Sequence, residues 1–346
     1  MEFLSEYGLF LAKAVTIVVS VLLVVSAIAS LAVKEKKHES GHIEVDDLNK
    51  KLKGMKSNIE STTLEKEELK AIAKKEKQEA KEKKKNKGNT ESEPEKNVYV
   101  IEFDGDIKAS QNTALRETIT GVLSVATQDD EVVVKVESGG GMVHSYGLAS
   151  AQLDRIKKKG IPLTVCVDKV AASGGYMMAC VADKIIASPF AILGSIGVVA
   201  QVPNVHRLLK KNDIDFEVIT AGEYKRTMTI FGENTEKGRQ KFVEDLEDTH
   251  VLFKKFVSEH RPAVDIEKVA NGDIWYGQQA LDVQLVDELM TSDEYLTEQC
   301  ETRNVYQLKY HEKKTLQEKL GLAASIGVEK AVTRLLTAAR KSNYFG

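Results

Sequence analysis

Two glycine-rich turns hold the residues best suited to chemistry in this chain. They are Ser138–Gly141, which reads SGGG, and Ser173–Gly175, which reads SGG. Each follows an apolar run of strand character. Glycines at such a turn let the backbone approach a ligand and present its N–H groups. A serine placed where a strand gives way to a helix has the next amide beside it. The N–H of Gly174, helped by the helix N-terminus, is then suited to stabilising an oxyanion formed when Ser173 attacks an acyl group. A second donor must come from another loop, and the SGGG turn is the obvious supplier. Alone, such a pattern is more often a tight strand-to-helix turn made of small residues. Neither turn reads GxGxxG or GxxxxGK[ST], which disfavours nucleotide binding.

A nucleophilic serine also needs a base. His144, His206, His250 and His260 have no accompanying Asp or Glu signature, and the histidines show no metal-ligand spacing. A Ser–Lys pair is the other option. Lysine acts as a base only when its pKa falls, which burial in an apolar pocket achieves. Most lysines here lie in charged runs and read as solvated. Lys225, in AGEYKRTMTIF, differs: it follows a predicted strand and a glycine, and apolar residues come soon after. Spacing leaves it open whether Lys225 is a base or a surface residue. Cys166, Cys180 and Cys300 form no CxxC pair, and the first two lie in apolar surroundings. They read as free thiols, not as a disulfide frame or a metal site.

The elements that must position these residues follow from hydrophobic periodicity. NVYVIEFDGDI, from Asn97, reads as a strand. Residues 112–127 place Leu115, Ile119, Val122 and Leu123 at helical spacing. EVVVKVE, Glu131–Glu137, is the next strand. Residues 144–159 form a helix closed by Gly160, and IPLTVCV is a third strand. This order of strand, helix, strand, helix, strand predicts an α/β fold with parallel pairing, whose strand C-termini carry the site. DKIIAS and DFEVITAG read as further strands. Residues 241–257 read as a strong helix with Phe242, Leu246, Phe253 and Phe256 on one side.

The rest of the chain is organised by charge. The 49 basic and 52 acidic residues leave a net charge of −3, which gives no reason to expect nucleic acid as a partner. Residues 14–33 hold twenty positions without a charge. At helical rise that run spans a hydrocarbon core of about 30 Å, so residues 1–34 are expected to anchor the chain in a lipid bilayer. Lysines 34, 36 and 37 follow the anchor, with 50, 51 and 53 beyond, whereas only Lys13 precedes it. Counting positive charge thus favours a cytoplasmic body. Residues 35–96 read as a Lys/Glu-rich spacer, with i,i+4 pairing but no apolar face to pack. The catalytic-size domain is expected at 97–310, with a basic, weakly amphipathic tail at 311–346.

From Val136 to Glu288 the sequence resembles the signal peptide peptidase A family, serine peptidases of family S49. The resemblance rests on SGGGMV, DKVAASGGYMMA, ADKIIASPFAILGSIGV, GEYKR and WYGQQALDVQLVDE, in that order. It implies a ClpP/crotonase-like ββα superhelix fold and an endopeptidase using a Ser–Lys dyad, with no cofactor or metal. Ser173 would be the nucleophile and Lys225 the general base, 52 positions later. Ser195, in GSIGV, would orient the lysine amine, and Gly141 and Gly174 would supply the oxyanion-hole amides. The family's first turn usually reads SPGG, whereas Gly139 stands at the proline's place here. Proline has no N–H, so no donor is lost, but the turn is freer to move. The resemblance further implies a bacterial inner-membrane protein with a periplasmic body. It also implies a ring-like homo-oligomer in which a neighbour supplies the lysine, and polypeptide substrates such as signal peptides. A catalytically silent membrane scaffold and an acyl-CoA enzyme on the same fold are the alternatives. The intact Ser173, Ser195 and Lys225 set disfavours the first, and Lys225 has no role in the second.

Overall fold

A computed structural model describes residues 41–72 and 96–312, with isolated positions elsewhere. Residues 42–311 form one compact unit. The ten strands are β1 (His42–Asp47), β2 (Asn97–Gly105), β3 (Glu131–Ser138), β4 (Leu163–Val167), β5 (Val170–Ala172), β6 (Lys184–Ala187), β7 (Ile192–Gly194), β8 (Ile274–Tyr276), β9 (Glu288–Leu289) and β10 (Asn304–His311). Helices among the described residues are α1 (Leu48–Thr63), α2 (Asn112–Val125), α3 (Val143–Lys158), α4 (Gly174–Ala179), α5 (His206–Lys211), α6 (Glu236–His260), α7 (Ile266–Val269), α8 (Gly277–Asp282) and α9 (Ser292–Thr302).

The main sheet runs β1-β10-β2-β3-β4-β6-β9, parallel throughout except for β1 on β10. Parallel strands covered on both faces need apolar residues at nearly every position. In β3, Val132, Val134 and Val136 point into one core while Val133 points into the other. That alternation follows from the two-residue period of a strand. Helices α2 and α3 close the larger core with Leu115, Ile119, Leu153 and Ile156, and α9 closes the smaller with Tyr295 and Leu296. A second layer branches from the end of β3, where Ser138 pairs with Ala171. There β5 runs parallel to β7, and β8 is antiparallel to β7. This mixed α/β architecture around a central sheet agrees with the fold the resemblance implies.

Two expectations need correction. DFEVITAG, residues 215–222, forms no strand. No neighbouring strand offers it a ladder, and Phe216, Val218 and Ile219 stay exposed. Residues 42–63, read as part of the spacer, belong to the folded unit. The reason is tertiary: the whole of β1 pairs with Tyr306–His311 of β10, and Asn49 bridges three backbone groups. Its Nδ2 donates to the carbonyls of Cys300 and Arg303, each at 2.9 Å, and its Oδ1 accepts from the Val305 N–H at 2.7 Å. Helix α6 is longer than its apolar pattern, and only Phe253 and Val257 on it are buried. Among the described residues no helix is long and apolar enough to cross a membrane. The expected anchor at 14–33, Thr16 excepted, and the tail beyond residue 312 lie outside the described residues.

Candidate active site

Ser173 links β5 to α4 with φ 51° and ψ −118°. A positive φ is uncommon for a residue with a side chain and costs on the order of 1–3 kcal/mol. The surroundings hold it there. Its N–H donates to the Gly194 carbonyl at 2.8 Å, and its carbonyl accepts from Met177 at 2.9 Å, opening the helix. Gly174 follows, fully covered, and a Cβ there would collide with the Tyr146 ring. At Gly175 a Cβ would come within 2.5 Å of the Ser138 carbonyl oxygen. The small residues after Ser173 are therefore demanded by close packing on α3 and β3. Ser173 itself stays half-exposed.

The SGGG turn lies directly against this elbow. Gly140 has φ +87°, and a Cβ on it would meet the Gly174 nitrogen at 2.6 Å and the Ser173 Cβ at 2.8 Å. Gly141 is open to solvent on one side and pressed on the Ile107 carbonyl on the other. Among the described residues, neither the Gly141 N–H nor the Gly174 N–H has a hydrogen-bond acceptor. Ile107, Met142 and Val143 form an exposed apolar rim beside the turn.

Ser195 is brought to the same place by strand register. Ala172 pairs with Gly194 in the parallel β5–β7 ladder, so Ser173 and Ser195 leave neighbouring strand ends side by side. Ser195 has φ 48°, and its N–H donates to the Asp273 carbonyl at 2.7 Å. The next carbonyl, of Ile196, accepts from His250 Nε2 at 3.1 Å, which ties α6 to this turn. Lys225 lies in an exposed turn closed by its own N–H to the Gly222 carbonyl at 3.2 Å. Among the described residues it makes no hydrogen bond or ion pair with Ser173 or Ser195. The fold thus assembles Ser173, Gly174, Ser195 and the SGGG turn within one chain, with no hydrogen bond to Lys225 among the described residues.

One side-chain contact beneath the turns escaped the sequence reading. Ser138 Oγ lies 2.5 Å from the Tyr146 hydroxyl, which donates to the Asp106 carbonyl at 2.7 Å. Tyr146 sits among core positions of α3 and reads as packing; only the tertiary contact gives it a second role. Burial pushes its phenol above the usual tyrosine value, so it remains a donor. Burial likewise raises the thiols, Cys166 to about 12 and Cys180 further, so neither competes as a nucleophile. A cavity of ≈ 510 Å³ opens at the other ends of the parallel strands, lined by Lys157, Asp183, His260, Arg261 and Asp287. Its charges are mutually paired, with Arg261 bridging both oxygens of Asp287 at 2.9 Å and Lys157 reaching Asp183 at 3.1 Å. It shares no residue with the two turns.

Comparison with known proteins identifies the family. Residues 2–153 match the N-terminal domain of peptidase family S49, and residues 155–306 match peptidase family S49 itself. A probable protease SohB of Haemophilus influenzae is 52% identical, over 97% of each chain. A probable protease SohB of Buchnera aphidicola is 43% identical, over 97% of this chain and 98% of its own. These matches cover both glycine turns, Ser195 and Lys225, and they extend through the β1–α1 segment that the fold joins to the sheet. The chain belongs to peptidase family S49.

Proposed function

We propose that this peptidase is a membrane-anchored serine endopeptidase in which Ser173 attacks the scissile carbonyl. The observation that carries this reading is the strained elbow itself. Ser173 is held at positive φ with the Gly174 amide unpaired behind it and the SGGG turn in contact. A non-glycine residue kept in that conformation by its surroundings is a mark of functional sites. In the proposed reaction Lys225 accepts the Ser173 hydroxyl proton as Oγ bonds to the peptide carbonyl carbon. The oxyanion is taken by the N–H groups of Gly141 and Gly174. Collapse breaks the C–N bond, the lysine returns the proton to the leaving amine, and an acyl-enzyme remains for water to hydrolyse.

Lys225 reaches Ser173 from a second copy of the chain in this reading. Support comes from the segment that carries it, where Val199, Phe216, Ile219 and Phe231 stay exposed in their own unit. Exposed apolar surface of this extent marks an interface. Ser195, beside Ser173, would orient the incoming amine. An extended peptide laid along the SGGG turn as an added strand would place apolar side chains on the Ile107–Met142–Val143 rim, which fits signal peptides and other unfolded apolar segments. We place the anchor at 14–33 in the bacterial inner membrane with the body periplasmic. Protease protection in spheroplasts tests that placement.

The deciding experiment is labelling with a fluorophosphonate together with casein hydrolysis. Ser173→Ala is expected to abolish labelling and lower hydrolysis at least about 10³-fold, in line with removal of a triad nucleophile. Hydrolysis that survives Ser173→Ala refutes the assignment.

A further inference from the structure

The SGGG turn lacks the stiffness of the SPGG form, yet it must hold an amide in place beside Gly174. A chain of hydrogen bonds supplies what is missing. The Gly140 N–H donates to Ser138 Oγ at 3.1 Å. Ser138 Oγ lies 2.5 Å from the Tyr146 hydroxyl, which in turn donates to the Asp106 carbonyl at 2.7 Å. Each hydroxyl accepts from one side and donates to the other, so the bonds polarise one another in a buried setting. Ser138 and Tyr146 are 2% and 0% exposed.

The same tyrosine also forms the floor of the elbow. Its ring is the surface against which Gly174 packs, and Phe103 meets it edge-on at 6.3 Å. Gly105 makes room for the pair, since a Cβ there would lie 2.5 Å from Ser138 Oγ and 2.6 Å from the Tyr146 hydroxyl. One side chain therefore touches Gly174 through its ring and Gly140 through its hydroxyl and Ser138. That is the coupling needed to keep two amides from different loops at a fixed separation.

Resting on the peptidase reading above, we infer that Ser138 and Tyr146 are positioning residues that hold the SGGG turn in register with the Gly174 amide, taking over the restraint that a proline at position 139 would provide. The surroundings leave room for that proline. Ser138 ends a strand, so the residue before it is already extended. A Cβ at 139 meets no atom within 4 Å, and Gly139 is not in the left-handed region.

The test uses the full-length protein, with kcat and KM for an unfolded polypeptide and the rate of fluorophosphonate inactivation. Ser138→Ala is expected to lower kcat about tenfold with KM unchanged, less than the 10²–10³ of losing an oxyanion donor outright. Tyr146→Phe should lower it about threefold, since Ser138 can then turn to the Gly105 carbonyl, 3.1 Å away. The inactivation rate should fall in step. Adding Gly139→Pro to either variant should recover most of the lost kcat. A purely structural role predicts a lower melting temperature with kcat of the folded protein intact and no recovery from Gly139→Pro. Either result overturns the inference. Activity in Ser173→Ala overturns the peptidase reading as well, whereas an inactive Ser173→Ala beside fully active Ser138→Ala and Tyr146→Phe overturns this inference alone.

Discussion

Ser173 and Lys225 stand in opposite surroundings. Ser173 lies where three buried elements meet: the end of β3, the β5–β7 ladder and the Tyr146 face of α3. Its neighbours Gly174 and Gly175 are fully covered, and backbone bonds at 2.8 and 2.9 Å hold both sides of the residue. Lys225 lies in the stretch 198–235, whose regular structure is the six-residue α5. Apolar side chains there face outward, Ile219 at 89% and Val199 at 81% exposed. Phe216 and Phe231 meet each other, with ring centres 5.2 Å apart, yet neither is covered. One half of the site is thus completed by its own chain, while the other half presents the kind of surface that a protein buries against another protein. A substitution near Ser173 should consequently act through packing and chemistry together. One near Lys225 should act through chemistry or assembly and leave the fold of the single chain intact.

The largest expected effect is at Lys225, the proposed base. Lys225→Ala should lower kcat about 10³-fold, within the range for a lost general base, without changing the melting temperature of the chain. Mixing inactive Lys225→Ala with inactive Ser173→Ala should restore activity if the lysine crosses between copies. No recovery after the subunits have exchanged would return the lysine to the nucleophile's own chain and erase the contrast drawn here.

A smaller but broader effect is expected at Gly174→Ala. The added methyl collides with the Tyr146 ring, so stability should fall by about 1–3 kcal/mol, as overpacking does, and fluorophosphonate labelling should fall with it. Denaturant unfolding and labelling of the same samples check the pair. Loss of labelling at unchanged stability would mean that the elbow is less tightly packed than its contacts indicate. The smallest effect on folding is expected for Ile219→Ser, within about 0.5 kcal/mol for an exposed site. Its signature should be dissociation to smaller species in light scattering, with activity lost in proportion. An unchanged oligomer with full activity would remove this segment from the interface.

Much of the core half was legible because its signals are local. Apolar runs marked β3 and β4 as strands, and the spacing of Leu115, Ile119 and Val122 marked α2. The switch from an apolar run to AASGGYM placed Ser173 at a strand-to-helix junction, although a separate short strand, β5, intervenes after β4. DFEVITAG misled because alternation of apolar residues reports only that a segment suits a ladder, not that a neighbour exists to form one. The 42–63 segment misled in the opposite direction. Its charged residues outnumber its apolar ones, and its attachment depends on the amide of Asn49 reaching backbone groups more than 250 residues away. Tyr146 was hidden for the same reason, since an apolar helix position does not disclose what its hydroxyl meets.

By itself the sequence determined the α/β order of elements, the two glycine turns, the serine at the junction and the family to which the ordered motifs point. These depend on residue type and on spacings within a few turns or strands. Only the tertiary structure decided that Gly140 presses on Gly174, that strand register sets Ser195 beside Ser173, that Tyr146 and Ser138 meet beneath the two turns, and that Asn49 fastens the 42–63 segment to the sheet. Those are contacts between segments distant in sequence, and no local pattern encodes the packing that selects them.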